Sequence, residues 1–165
     1  MSNIFSPELV IFDCDGTLVN SELLYNKIIS DILLEAGLTD YNVQTCLQLF
    51  TGLTLSHIRE KVERAHNLDL SSVLTSELYI SRAQAEMDKN IEAVANASDL
   101  LMLCTGISKI CIGSNGERSS VIKSLQLTGL YDFFGGNDDC IFTKIQVKNA
   151  KPAPDLFEYA AAQMG

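Results

Sequence analysis

Residues 8–22 read Glu8-Leu9-Val10-Ile11-Phe12-Asp13-Cys14-Asp15-Gly16-Thr17-Leu18-Val19-Asn20-Ser21-Glu22. An apolar run ends abruptly in two carboxylates, Asp13 and Asp15, one residue apart, and Gly16 and Thr17 follow at once. Leu9–Phe12 is short and β-rich, and it predicts a fully buried strand. Both aspartates then stand at the strand's C-terminal end, which is where ligands bind in open α/β sheets. Two like charges this close repel unless a cation or a shared proton relieves them. The arrangement therefore points to chemistry.

Working outward, Asn20 or Ser21 can cap a helix with an i, i+4 stripe of Leu24, Ile28, Ile32 and Ala36, widened by Ile29 and Leu33 and stopped at Gly37. A second helix is expected over about Asn42–Phe50. Thr54 caps a third, with Leu55, Ile58, Val62 and Ala65 on one face, and Ser71 a fourth, with Val73, Leu78 and Ala85 inward. Beyond about residue 90 strands and helices alternate. Ile91–Leu103 reads as a helix and Lys109–Gly113 as a strand that ends at Ser114-Asn115-Gly116. Glu117–Leu127 reads as a helix stopped by Gly129, with Val121, Ile122 and Leu125 inward, and Cys140–Thr143 as a third strand. Lys151-Pro152-Ala153-Pro154-Asp155 is a turn into a helix, Leu156–Met164, with Phe157, Ala160 and Ala161 inward. Alternation of this kind implies an α/β fold with a parallel sheet.

Composition narrows the partners. The 165 residues carry a net charge of −9, which argues against nucleic acid and anionic membrane surfaces, since both need a basic face. A small anionic substrate stays compatible, because a few local cations reverse the sign within a cleft. The five cysteines are odd in number, widely spaced and without a zinc pattern, so reduced packing residues in a cytoplasmic protein are expected. No apolar stretch approaches the roughly 20 residues a membrane span needs. His57 and His66 lack companion ligands and read as surface or packing residues.

In a parallel sheet the three strand ends share one edge, so Asp13, Asp15, Ser114, Asn115 and Lys151 converge. Two acids, a hydroxyl or amide, and a lysine suit a phosphate monoester. One carboxylate can attack phosphorus, the other can move the proton, and Ser114 and Lys151 can hold phosphoryl oxygens. An all-oxygen donor set favours Mg²⁺ as cofactor over Zn²⁺. Thr17 either orients Asp15 or only caps the turn, and Glu22 either faces substrate or only favours the helix dipole. Cys14 alternates away from the aspartates and reads as packing. Lys27 and Arg59 read as solvated.

Phe12–Val19 resembles the first motif of the haloacid dehalogenase superfamily, Ser114-Asn115-Gly116 the second and Lys151–Asp155 the third. More narrowly the chain resembles the β-phosphoglucomutase-like sugar-phosphate phosphatases. The resemblance implies a Rossmann-like core at 1–19 and 92–165, incomplete at its C-terminus, with an inserted α-helical cap at 20–91. It implies Asp13 as nucleophile, Asp15 as acid/base, Lys151 as a third catalytic group, phosphate contacts from Gly16, Thr17, Ser114 and Asn115, and Mg²⁺ on Asp13 and the Asp15 carbonyl. The family's usual Asp after Thr-Leu-Val is Asn20 here. Its fourth, acidic motif falls beyond Gly165, so weak metal binding, slow turnover and self-association through an exposed sheet edge are expected. A small phosphorylated metabolite is the expected substrate. A phosphomutase, or a non-catalytic binding fragment, is the alternative.

Overall fold

A computed structural model describes residues 7–165. The chain divides into two compact units, one ending at Asn20 and resuming over Ile91–Gly165, the other Ser21–Asn90.

The first unit is built on three parallel strands, β1 (Leu9–Phe12), β2 (Lys109–Ser114) and β3 (Ile141–Thr143), in the order β1-β2-β3. The central strand β2 is buried from Ile110 to Ser114, whereas Leu9, Val10 and Ile11 of β1 are only half-buried. The expectation of a fully buried first strand is thus corrected. β1 pairs with β2 on one side alone among the described residues, and an edge strand keeps part of its apolar surface in contact with solvent. One sheet face packs Ile110, Ile112 and Ile141 against Leu101, Val121, Leu125 and Phe134. The other packs Cys111 and Phe142 against Leu156 and Ala160.

Helices α5 (Ala97–Thr105), α6 (Arg118–Leu127) and α7 (Asp155–Met164) complete this unit. The helix expected over Ile91–Leu103 starts only at Ala97, after Asn96 at φ 65°. Before that turn the backbone pairs with the loop after β1: Val94 N–H donates to Leu18 O at 2.9 Å and Asn20 N–H to Glu92 O at 2.9 Å. Backbone pairing has overridden local helix propensity there. On α7 the inward residues are Leu156 and Ala160, while Phe157 is 41% exposed and Ala161 is exposed too. A helix turns about 100° per residue, so the face that takes Leu156 turns Phe157 away from it.

The second unit is helical: α1 (Ser21–Glu35), α2 (Val43–Phe50), α3 (Leu55–His66) and α4 (Ser76–Asn90). Leu24, Ile28, Ile29, Ile32 and Leu33 of α1 are buried, but Ala36 lies past the helix end and is exposed. Asn42 and Thr54 cap α2 and α3 through their side-chain oxygens. On α3, Ile58 and Val62 are buried and Ala65 is exposed. The cap expected at Ser71 sits at Thr75, whose hydroxyl accepts Leu78 N–H at 3.1 Å. At Ser71 the chain instead forms a local turn, its N–H donating to the Asp69 carboxylate at 2.8 Å. The inward residues of α4 are Ala83 and Met87, not Ala85. Arg82 clamps Glu35 through both guanidinium nitrogens, at 2.8 and 2.6 Å, and ties α4 to the end of α1. Lys27 pairs with Asp31 at 3.2 Å and Arg59 lies 4.0 Å from Glu63, both on half-exposed helix faces. His66 accepts or donates a 3.0 Å bond with the Tyr41 hydroxyl, a packing role.

Candidate active site at the sheet edge

The loop after β1 is wound tightly by its own backbone. The N–H groups of Thr17, Leu18 and Val19 all donate to Cys14 O, at 3.2, 2.9 and 3.1 Å, and Gly16 N–H donates to Val19 O at 2.9 Å. Gly16 sits at φ 72°, a left-handed conformation that glycine adopts without a Cβ penalty. Leu18 and Val19 are fully buried and anchor the loop. Gly16 and Thr17 are left exposed at its tip.

Cys14 points into the core between the two aspartates and is 0% exposed. Burial, and next the Asp15 charge, push its thiol up to about 12, so it is no nucleophile at neutral pH.

β1 and β2 run parallel, and their C-terminal ends place Asp13, Asp15 and Ser114 at one edge. Lys151 arrives from the loop before α7. Its ammonium donates to Asp13 Oδ1 at 2.7 Å and to the Gly113 carbonyl at 2.8 Å. Its side chain is 16% exposed, that of Asp13 44%. Asp13 Oδ1 also accepts Cys14 N–H at 2.8 Å. The same oxygen therefore meets two donors, which holds the carboxylate in one orientation.

Ser114 is buried. Its hydroxyl accepts Gly116 N–H at 2.9 Å and donates toward Asp15 Oδ2 at 3.3 Å. A hydroxyl has a single proton to give, and here it goes to Asp15. Asn115 is turned inward: its amide donates to Lys151 O at 2.9 Å and its carbonyl accepts Lys151 N–H at 2.9 Å. Gly116 packs so closely that an added Cβ would stand 2.8 Å from Val121 Cγ2 and 3.0 Å from Asp15 Oδ2.

Asp13, Lys151 and Asn115 thus form one hydrogen-bonded group and Asp15 and Ser114 a second, both at the same sheet edge. Gly16 and Thr17 lie on the loop beside it. Glu22 lies in the first turn of α1, in the other unit. Two participants were not foreseen: the Gly113 carbonyl, invisible because any residue supplies one, and Gly116, whose signal was its place in the Ser-Asn-Gly run.

The profile of the haloacid dehalogenase-like hydrolases matches residues 10–165. The chain belongs to that family. The 6-phosphogluconate phosphatase of Escherichia coli strain K12 is 29% identical over 157 residues, which are 95% of this chain and 68% of the relative. The fructose-1-phosphate phosphatase of the same strain is 25% identical over 94% of this chain and 79% of its own. Among solved structures, a HAD family hydrolase from Deinococcus radiodurans R1 with bound phosphate and sodium superposes with a TM-score of 0.80 at 28% identity, over 96% of this chain and 67% of that one. The parallel α/β core with its helices is the family's Rossmann-like fold. Among the described residues no helix is long and apolar enough to cross a membrane.

Proposed function

We propose that this site hydrolyses the phosphate monoester of a small metabolite, a sugar phosphate first of all, through an aspartyl-phosphate on Asp13. The observation that carries the reading is the 2.7 Å contact between the Lys151 ammonium and Asp13 Oδ1, at the strand edge where Asp15 also stands. With Oδ1 held by Lys151 and Cys14 N–H, Asp13 Oδ2 is the oxygen assigned to attack phosphorus. The ester P–O bond breaks as the new bond forms, and protonated Asp15 gives its proton to the leaving alcohol. Asp15, now a carboxylate, takes a proton from water, which attacks the phosphorus. Inorganic phosphate leaves and Asp13 is regenerated. Lys151 spreads positive charge over the phosphoryl oxygens as they crowd the carboxylates. Thr17 and Gly16 border the phosphoryl position, and Ser114 serves it through Asp15. The relatives that act on 6-phosphogluconate and fructose 1-phosphate support the sugar-phosphate class.

The oxygen donors at this edge suit Mg²⁺. Among the described residues no group of three or more His, Cys, Asp or Glu converges. Asp13 and the Asp15 carbonyl offer hard oxygens only, which fits a cation that keeps most of its waters. Those two groups would hold it, and it would offset the repulsion between carboxylate and phosphate.

The helical unit is assigned the choice of substrate. The half-buried edge strand β1 is assigned weak self-association, to be read as concentration-dependent sedimentation.

Hydrolysis of p-nitrophenyl phosphate with and without Mg²⁺, for the chain and for Asp13→Asn, tests the function. Turnover that needs Mg²⁺ and vanishes in Asp13→Asn is expected. Full activity in Asp13→Asn would remove the nucleophile assignment. A panel of sugar phosphates then ranks substrates.

A further inference from the structure

We infer that Asn115 is a positioning residue for Lys151, and that it serves the reaction through that lysine and not by touching phosphate. The inference rests on the phosphatase reading above for its kinetic consequence, but its geometry is independent of it.

The carboxamide of Asn115 has one donor face and one acceptor face, and both are used on a single residue. Asn115 Nδ2 donates to Lys151 O and Asn115 Oδ1 accepts Lys151 N–H, each at 2.9 Å. The two bonds bracket the Lys151 backbone as a strand neighbour would. They join the residue that follows β2 to a loop 36 positions further along the chain. Lys151 is linked to the same stretch a second time, through its ammonium and the Gly113 carbonyl at 2.8 Å. Two points of attachment, one on the backbone and one at the tip, fix both ends of a long side chain. That matters because a free lysine has a flexible four-carbon stem and loses rotamer entropy when its ammonium is fixed. With its backbone anchored, the ammonium meets Asp13 at a distance set by the sheet and not by a mobile loop.

The arrangement also commits one N–H and the carbonyl of Asn115 to Lys151. These two bonds set the orientation of the carboxamide and leave it one N–H and one lone pair. Serine is too short to bracket a peptide unit, and a carboxylate would accept the N–H but repel the carbonyl.

Two measurements on the full chain test this. In the first, the lysines are acetylated at trace level with acetic anhydride, and each is scored by peptide mass spectrometry against the exposed Lys89 and Lys148. In Asn115→Ala, labelling of Lys151 rises severalfold while the reference lysines stay constant. Asn115→Asp, which keeps the acceptor and loses the donor, gives an intermediate rise, and it decides the matter if the alanine variant does not fold. Unchanged Lys151 labelling in the folded variants overturns the proposal whether or not the chain proves to be a phosphatase.

The second is a double-mutant cycle on kcat and KM with Lys151→Met. Asn115→Ala lowers kcat by up to about 10²-fold, the cost of misplacing a catalytic group by roughly an ångström. In the Lys151→Met background the same change has almost no effect, because its target is gone. Effects that multiply instead, or that fall on KM alone, place Asn115 on the substrate and refute the inference. Absent turnover in the unmutated chain would count against the phosphatase reading only, and the labelling result would still judge Asn115.

Discussion

Lys151 and Asp13 are 138 residues apart in sequence and 2.7 Å apart in space. The contact joins the turn before α7 to the end of β1, and it passes directly over the β2 terminus, where the Gly113 carbonyl takes a second bond from the same ammonium. A charge pair with only one well-exposed member is oriented by its surroundings more than a surface pair is. Here the orientation leaves one Asp13 oxygen occupied and the other open.

Lys151→Met should therefore impair catalysis more than it harms folding. The thioether keeps the packing of the stem and removes the charge. Turnover of p-nitrophenyl phosphate is expected to fall by about 10²-fold or more, in line with the loss of one preorganised electrostatic donor. Thermal unfolding should fall less than activity: the partly exposed Asp13 carboxylate can rehydrate, while the Gly113 carbonyl loses one bond. Activity within about twofold of the unmutated chain would show that the ammonium is a structural contact only.

Ser114→Ala tests the neighbouring carboxylate. The Ser114 hydroxyl is buried, accepts Gly116 N–H and donates to Asp15. Its removal leaves the Gly116 N–H without that acceptor, which costs about 1–3 kcal/mol when the group stays dry. Both stability in urea and kcat should drop. A variant that loses only affinity for phosphate, with kcat and stability intact, would mean that Ser114 binds substrate directly.

Gly116→Ala should be worse than its size suggests. A Cβ there stands 2.8 Å from Val121 Cγ2, 3.0 Å from Asp15 Oδ2 and 3.1 Å from Ser114 Oγ. Relief requires α6 or the Asp15 side chain to shift, at about 1–3 kcal/mol for overpacking of this kind. Gly106→Ala is the control, because its Cβ meets nothing closer than the Leu103 carbonyl at 3.5 Å. Urea midpoints should separate the two variants clearly. Equal midpoints would show that the β2–α6 turn is looser than the structure describes.

The site was more legible in the sequence than the elements around it. Asp13 and Asp15 follow an apolar run, and their place at a strand end needs only the strand. Parallel order then brings Ser114 and Lys151 to the same edge. What the sequence could not show was the use of each polar group. Asn115 reads from the sequence as a phosphate contact, and its bonds to Lys151 depend on a loop whose path no local pattern encodes. The misplaced start of α5 has a similar cause. Ile91–Asn96 is compatible with helix by composition, but its backbone is held by Leu18 and Asn20, far away in sequence. The half-exposed β1 depends on how many strands flank it, a tertiary property.

The buried thiols should make stability fall at alkaline pH. Burial raises Cys14 and Cys111 from the ordinary 9.0 to about 12, and Cys46 to about 11. In the unfolded chain each thiol ionises near its ordinary value, so above about pH 9 the unfolded state has released protons that the folded state still holds. A folded pKa above the unfolded one gives stability that is complete below the unfolded value. That stability is lost as pH climbs toward the folded value. The urea midpoint should therefore be flat between neutrality and about pH 8 and decline progressively above it. Cys111→Val, an apolar replacement in the central strand, should flatten part of that decline. In the native chain at about pH 8, Ellman's reagent should leave Cys14, Cys46 and Cys111 unmodified on the timescale at which the half-buried Cys104 reacts. Rapid modification of Cys14 would mean that the loop between Asp13 and Asp15 opens readily, and the fixed orientation of the two carboxylates would have to be abandoned with it.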